Sequence, residues 1–373
     1  MDYLALMLRW WERWLRQVSN GVDAEPAATV FVQNGRGWHA YHEWPPSDAT
    51  ERVLYLGHGE SLADEPDTRT ETIEYVGDPT VGLGAGAWDP TGSALALPAD
   101  QGPDDGRSIT FNSKPLEGDL ELVGSPVVSL SLVLERGPEV HLVAKLCDVD
   151  PIGASSLITT GWLKYADGNS RSGTHRPVQE VTECEIQLWA TSYLVPAGHR
   201  LRLSVSCADF PRLWPTRENP VIHVRVGGIV GSAALRFLVN SRREPTPEAE
   251  PPMPSSGEIT EPLKIESAPC WTIEREFHDE HVEVSAGLHL ATWTPDRDGR
   301  FEINRLARIK VSRKRPDLAT ATGHARIAID TPLGRSIRIE ATSRRTQTGL
   351  RISARVRLDN ELVFERRWSR RYL

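Results

Sequence analysis

Leu4, Leu8, Trp11 and Leu15 recur at spacings of three and four at the start of the chain, and Leu6, Trp10 and Trp14 widen the stripe. That period predicts an amphipathic helix, with Asn20-Gly21 as its C-terminal stop because glycine tolerates the left-handed backbone. After Pro26 the helical period disappears and short apolar or alternating runs take over. Ala28–Val32, Trp38–Trp44 and Val53–Leu56 read as strands, and Glu65–Gly86 reads as a long polar loop interrupted by Gly and Pro. From residue 108 strands follow at short intervals: Ser108–Phe111, Leu120–Val123, Val127–Leu134, His141–Asp148, Leu157–Lys164, Cys184–Leu194, Leu201–Ser206, Val221–Val226 and Leu235–Val239. Arg200-Leu201-Arg202-Leu203-Ser204-Val205 alternates cleanly and places its apolar groups on one face. Many short strands with turn signals between them predict a sandwich or jelly roll.

Arg243–Gly257 reads REPTPEAEPPMPSSG, with five prolines in fifteen residues. Such a stretch neither pairs in a sheet nor continues a helix, so it is expected to be an extended linker. Beyond it, HVEVSAG, LHLATWTP, FEINRLARIKVS, GHARIAID, SIRIEATSRR, GLRISARVRLD and ELVFERRW follow one another with short connections. That pattern predicts an antiparallel meander. The expected organisation is therefore residues 1–50 with the helix and first strands, a jelly roll over 51–242, a linker over 243–258 and a second antiparallel β domain over 259–373. The class is mainly β, with one N-terminal amphipathic helix.

Composition changes this picture little. The chain has 373 residues, 39% hydrophobic and 25% charged, which is ordinary for a globular protein. No run approaches ~18 uninterrupted apolar residues, and the N-terminus lacks a basic region, apolar core and small-residue cleavage site. The cysteines Cys147, Cys184, Cys207 and Cys270 lie far apart without a CxxC pair. Reduced, mostly buried thiols in a cytoplasm are expected, and zinc is not.

Charge is more telling, because it is uneven. Asn304–Leu373 carries 18 Lys/Arg against 6 Asp/Glu, net +12, so with the chain at −8 the remainder carries −20. The two parts could attract each other, or the basic end could meet an anionic partner. Arg351, Ser353, Arg355 and Arg357 alternate with Ile352, Ala354, Val356 and Leu358, the pattern of a wet arginine face opposite a packed one. The basic strands lack the aromatic interleaving of nucleic-acid platforms, so no nucleic-acid partner is expected.

Residue chemistry displays no active site. The nearest approach to Gly-x-Ser-x-Gly is Gly59-Glu60-Ser61-Leu62-Ala63, which lacks the second glycine and is followed by Asp64-Glu65-Pro66 instead of a helix. A loop serine is the expectation at Ser61. His39 and His42 are expected on opposite strand faces. His278, Asp279, Glu280 and His281 read as a polar turn, without a third ligand position for a metal. His199 is expected to be a satisfied histidine at a strand start. Asp148, Asp150 and Glu183 could serve acid/base work or calcium, with a solvated loop the better reading. No phosphate loop, dinucleotide fingerprint or HExxH occurs, so no catalytic, cofactor or metal residue is assigned and no cofactor is expected.

Several segments together resemble the CocE/NonD hydrolases, a group related to the X-Pro dipeptidyl-peptidases. Ala99–Leu132 (ADQGPDDGRSITFNSKPLEGDLELVGSPVVSLSL) resembles the opening of their C-terminal jelly roll, and His141–Lys164 (HLVAKLCDVDPIGASSLITTGWLK) and Leu194–Pro220 (LVPAGHRLRLSVSCADFPRLWPTRENP) continue it. Leu8–Pro46 resembles the segment just after the family's catalytic histidine, and VFERRWSRRYL its finish. The resemblance implies a galactose-binding-like jelly roll that packs on an α/β-hydrolase core, in enzymes that cleave esters and amides, including Xaa-Pro peptides. No member of the family's triad maps onto a residue of this chain. The implied reading is a C-terminal portion of such a hydrolase, split from its core or truncated by a late start, inactive alone and complementing a core on a separate chain. The loops around Asp148–Gly153 and Asp209–Trp214 are then the candidates to face a substrate, and the first helix the surface that meets the core. The alternative is a free-standing carbohydrate- or ligand-binding module, with Trp162, Trp189 and Trp214 as its platform.

Overall fold

The computed structural model describes residues 3–35, 37–86, 97–166, 181–228, 233–240, 265–278, 280–293 and 299–372. The expected linker lies outside the described residues. Helix α1 (Tyr3–Arg16) carries Arg13 and Arg16 in its last turn, where cations complement the helix dipole. It stops earlier than Asn20-Gly21. Gln17 takes the left-handed conformation at φ 57°, and Val18 N donates back to Glu12 O at 3.1 Å, which closes the helix end. Asn20 instead ties the turn back, its Nδ2 donating to Arg9 O at 2.7 Å. Arg13 pairs with Asp23 at 2.7 Å, and Arg9 pairs with Glu25.

The jelly roll follows. Strands β1 (Ala28–Val32) and β2 (Gly37–Tyr41) form a hairpin. Gln33 stitches it to the body: its N donates to Ser192 O, and its O accepts from Leu194 N, both at 2.9 Å. Next come β3 (Thr50–Gly57), β4 (Ser61–Ala63), β5 (Thr70–Val76), the single-turn helix α2 (Gly102–Asp105), β6 (Ile109–Asn112), β7 (Leu120–Arg136), β8 (Glu139–Val149) and β9 (Ser155–Ala166). The last members are β10 (Thr182–Gln187), β11 (Thr191–Val195), β12 (Arg200–Ser206), β13 (Val221–Gly227) and β14 (Ala234–Val239). Their order is β5-β13-β7-β14-β3-β4-β6-β12-β8-β9, with β10 and β11 also on β7. One strand of 17 residues, β7, therefore replaces the two expected over 120–134, and β10 and β11 replace the single run Cys184–Leu194. The expected long loop Glu65–Gly86 contains β5, whose alternation TETIEYV lets Ile73 and Tyr75 pack on the core.

The core is contiguous. Leu54 and Leu56 of β3, Leu122 and Leu130 of β7, Leu142 and Leu146 of β8, Leu201 and Leu203 of β12 and Val224 of β13 are all buried in it. The alternation of β12 directs Leu201, Leu203 and Val205 inward, as its sequence requires.

The seven remaining strands form a separate meander in which each strand pairs with the next: β15 (Ile265–Glu276), β16 (His281–Trp293), β17 (Arg300–Ser312), β18 (Thr320–Asp330), β19 (Ser336–Thr346), β20 (Gly349–Leu358) and β21 (Glu361–Arg371). Ile303, Ile327, Ile339, Val356 and Phe364 align across five successive strands, which makes one face apolar. The opposite face carries the arginines, where Arg355 pairs with Glu365 at 2.8 Å and Arg326 with Glu340 at 3.2 Å. HVEVSAG and LHLATWTP, expected as two strands, are one, and β15 adds a strand ahead of them.

The meander packs on the jelly roll through a second apolar cluster. Leu83 and Phe210 meet Val282, Val284, Val311 and Ala319, with Trp214 and Trp271 against them. Within the jelly roll, Gly82 lets the Leu83 segment lie close against the Phe210 loop. Its φ is 118°, and a Cβ there would lie 2.4 Å from Phe210 N. Polar contacts fix the seam. Trp214 Nε1 donates to Gln347 Oε1 at 2.9 Å, Gln347 Nε2 donates to Pro215 O at 2.9 Å, and Arg313 lies 3.4 Å from Asp78. Among the described residues the basic end meets the acidic remainder at Asp78 in this joint and at Glu280 and Glu283 within the meander.

Candidate functional site

Ser61 sits at the start of the three-residue strand β4, pairing antiparallel with Gly57 and parallel with Asn112. It occupies a regular sheet position, not a strained strand-to-helix elbow. His39 is buried, 3.6 Å from Glu121, whereas His42 is exposed. Around 276–281, His281 lies 3.6 Å from Glu276, and Glu280 takes Lys314 at 3.4 Å. Asp279 lies outside the described residues. Among the described residues no group of three His, Cys, Asp or Glu side chains is placed to hold a metal ion. Glu183 is exposed on β10.

Two expected residues come together. Asp148 at the end of β8 is buried, and its two oxygens take His199 Nδ1 at 2.8 Å and the Tyr193 hydroxyl at 3.1 Å. Burial, then the Asp148 charge, pushes the Tyr193 phenol well above its ordinary range. The set locks β8, β11 and β12 to one another. Asp150 shapes the next turn, its Oδ1 accepting from Ile152 N at 3.0 Å and Ala154 N at 2.9 Å. The Asp148–Gly153 loop is thus held at both ends while Ile152 projects into solvent.

The Asp209–Trp214 loop faces the meander. Asp209 is completely buried and accepts from Trp162 Nε1 at 2.5 Å and from Arg212 Nη2 at 2.7 Å. The Arg212 guanidinium lies 5.3 Å from the Trp162 ring centre, and Trp162 meets Trp189 edge to face at 5.2 Å and 84°. Opposite them stand Trp271, Val284 and Ile309 of the meander, across a cavity of about 410 Å³. Trp214 belongs elsewhere, under Arg345 at 4.2 Å. Of the three tryptophans expected as a platform, two share a cavity wall, at right angles, and the third is part of the seam.

A buried ionic cluster escaped the sequence. Lys145 Nζ lies 3.2 Å from Asp104 Oδ2 and 3.3 Å from Gln101 Oε1, and all three side chains are buried. Arg107 reaches Asp104 at 3.0 Å, and Arg202 and Ser155 reach Asp105 at 3.0 and 2.8 Å. The alternation of β8 puts Leu142 and Leu146 in the core and Lys145 on the opposite face. Its one signal was a lysine inside the apolar run HLVAKLCDV.

The thiols are graded by environment. Cys147 and Cys207 are buried, Cys184 is half-buried and Cys270 is exposed, and none is in a disulfide. Burial pushes the Cys147 thiol up to about 12 and Cys184 up to about 11, and pushes Cys207 upward too. A raised value leaves the thiol protonated at neutral pH, and the thiolate is the nucleophile. At pH 8 the folded chain is therefore expected to give one fast equivalent with Ellman's reagent, from Cys270, a slow one from Cys184, and the rest only in denaturant. Removal of the fast phase by Cys270→Ser checks the assignment.

Residues 20–242 match the X-Pro dipeptidyl-peptidase C-terminal non-catalytic domain. The chain is 30% identical over 231 residues to a protein named as a serine esterase in Mycobacterium bovis, covering 56% of this chain and 36% of that protein. It is 25% identical over 242 residues to the cocaine esterase of Rhodococcus sp., covering 61% and 40%. A CocE/NonD family hydrolase structure from Staphylococcus aureus aligns at 15% identity and TM-score 0.46, covering 64% of this chain and 46% of that one. The chain thus spans between a third and a half of the length of the relatives it matches.

Proposed function

This chain belongs to the X-Pro dipeptidyl-peptidase C-terminal non-catalytic domain family, and from that premise we propose that it is the β-rich supporting region of a CocE/NonD-type serine hydrolase acting on ester or amide bonds. The chemistry would be performed by an α/β-hydrolase core, with this region holding that core in place and inactive by itself. The observation that carries the reading is the apolar face of α1. Trp10, Trp11 and Trp14 are 50%, 49% and 52% exposed, and Leu4, Leu8 and Leu15 are more exposed still. A contiguous aromatic stripe of this kind marks a surface that another body covers. Arg9–Glu25, Arg13–Asp23 and the Asn20–Arg9 hydrogen bond tie the helix to the segment 20–25. Free thiols throughout the described residues support a reducing, cytoplasmic setting. No helix among the described residues is long and apolar enough to cross a membrane.

The test is to assay the purified chain on p-nitrophenyl acetate and Ala-Pro-p-nitroanilide, alone and with a separately expressed α/β-hydrolase core of a CocE/NonD esterase. The expected result is no turnover alone, and association with the core that the triple variant Trp10→Ala, Trp11→Ala, Trp14→Ala weakens at least tenfold. Turnover by the chain alone that a serine-directed inhibitor abolishes would overturn the reading, and so would association indifferent to the three tryptophans.

A further inference from the structure

We propose that the cavity between the jelly roll and the meander is a binding site for an uncharged, flat aromatic molecule bearing one hydrogen-bond acceptor. A largely apolar opening of about 410 Å³ lies where the two packed layers meet. Its size and its place between two domains are those of small-molecule sites. Trp189 is 52% exposed at its wall, so the cavity opens to solvent and a ligand can enter.

The walls select the class. Trp162 and Trp189 stand at 84° to each other and form a corner, with Trp271 facing them from the meander. A planar ring lying on one indole offers its edge to the other, which satisfies the offset-stacked and edge-to-face preferences of aromatic pairs together. A sugar is disfavoured because its hydroxyls need several polar partners, and Arg212 is the one charged group among the described lining residues. A cationic ligand is disfavoured because the Arg212 guanidinium already lies over Trp162. An anion is disfavoured because Asp209, fully buried behind the wall, already neutralises Arg212. What Arg212 still offers is hydrogen-bond capacity. Its Nη2 goes to Asp209 and its Nε is sealed from solvent, so the donor a ligand can reach is the part of the guanidinium edge that lines the cavity. A carbonyl-type oxygen on the ring is the partner that fits, since it accepts without adding charge.

The site draws on this chain alone and stands or falls independently of any hydrolase core. The test is calorimetric titration of the full chain with three matched probes: 2-naphthamide, 2-naphthoate and (2-naphthylmethyl)trimethylammonium. The amide is expected to bind one-to-one with Kd on the order of 100 µM, and the carboxylate and the ammonium at least tenfold more weakly. Trp189→Ala should weaken the amide at least tenfold. Ala307→Phe, which fills the cavity from the meander side without touching the Asp209–Arg212 pair, should abolish binding and leave the melting temperature unchanged. Equal affinity for all three probes, stronger binding of either charged probe, no binding of the amide, or binding that survives Ala307→Phe would each overturn the assignment.

Discussion

Asp104→Ala is expected to destabilise the jelly roll by about 3–5 kcal/mol, because it strands a buried ammonium. Lys145 is buried, and its ion-pair partner is Asp104 at 3.2 Å, with Gln101 Oε1 the neutral contact at 3.3 Å. The same carboxylate also accepts from Arg107 at 3.0 Å and from Gly84 N at 2.9 Å. Alanine removes all of these acceptors together. Lys145→Met should be far milder. The methionine fills the space of the lysine stem, and Asp104 keeps Arg107 and Gly84 N, so no uncompensated charge remains. For a domain of this size the loss at Asp104 corresponds to a fall in melting temperature of roughly 6–20 °C. Paired thermal melts of the two variants make the comparison, and equal losses would show that the cluster acts by packing and not by charge.

What could be read in the chain, and what could not, follows the range of the interactions. The alternation in β12 and the stripe in α1 are written into neighbouring residues, so both elements were visible. The end of α1 was not, because the left-handed position is taken by Gln17, a residue without glycine's conformational signal. TETIEYV in β5 alternates but lies among Gly, Pro and Asp, and those punctuating residues outweighed seven positions of pattern. Pro269 lies within β15, which is the edge of its sheet, the kind of strand that tolerates proline. Proline inside a run argues against a strand unless the edge is known. The Asp104–Lys145 pair is 41 residues apart in sequence, and the Trp162–Trp271 cavity exists only where two sheets meet. No local period encodes either. The family's segments, by contrast, were legible because ADFPRLWP and GHRLRL are runs of neighbours, even though their geometric purpose appears only in three dimensions.

That purpose is clearest at Phe210, the first residue of FPRLWP. Phe210→Ala is expected to cost about 3–5 kcal/mol, as for other buried aromatic truncations. The ring is 1% exposed and lies in the cluster that joins Leu83 of the jelly roll to Val282, Val284 and Val311 of the meander. Its backbone N donates to Val81 O at 2.7 Å, so the loop itself stays anchored when the side chain is removed. The void therefore opens at the joint and leaves the Leu122–Leu146–Leu203 core of the sandwich intact. Leu142→Ala makes the opposite cut, since Leu142 is buried in that core and not at the joint. Both variants should lose comparable stability. Only Phe210→Ala should red-shift the tryptophan emission, because Trp214 and Trp271 rest against the joint, and only Phe210→Ala should split one thermal transition into two. If neither variant gives the split, the two layers unfold as one unit and the joint has no separate energetic identity. If Phe210→Ala alone gives it, the meander is a second cooperative body whose position on the sandwich, and with it the tryptophan-lined cavity between them, is set by a handful of side chains around one phenylalanine.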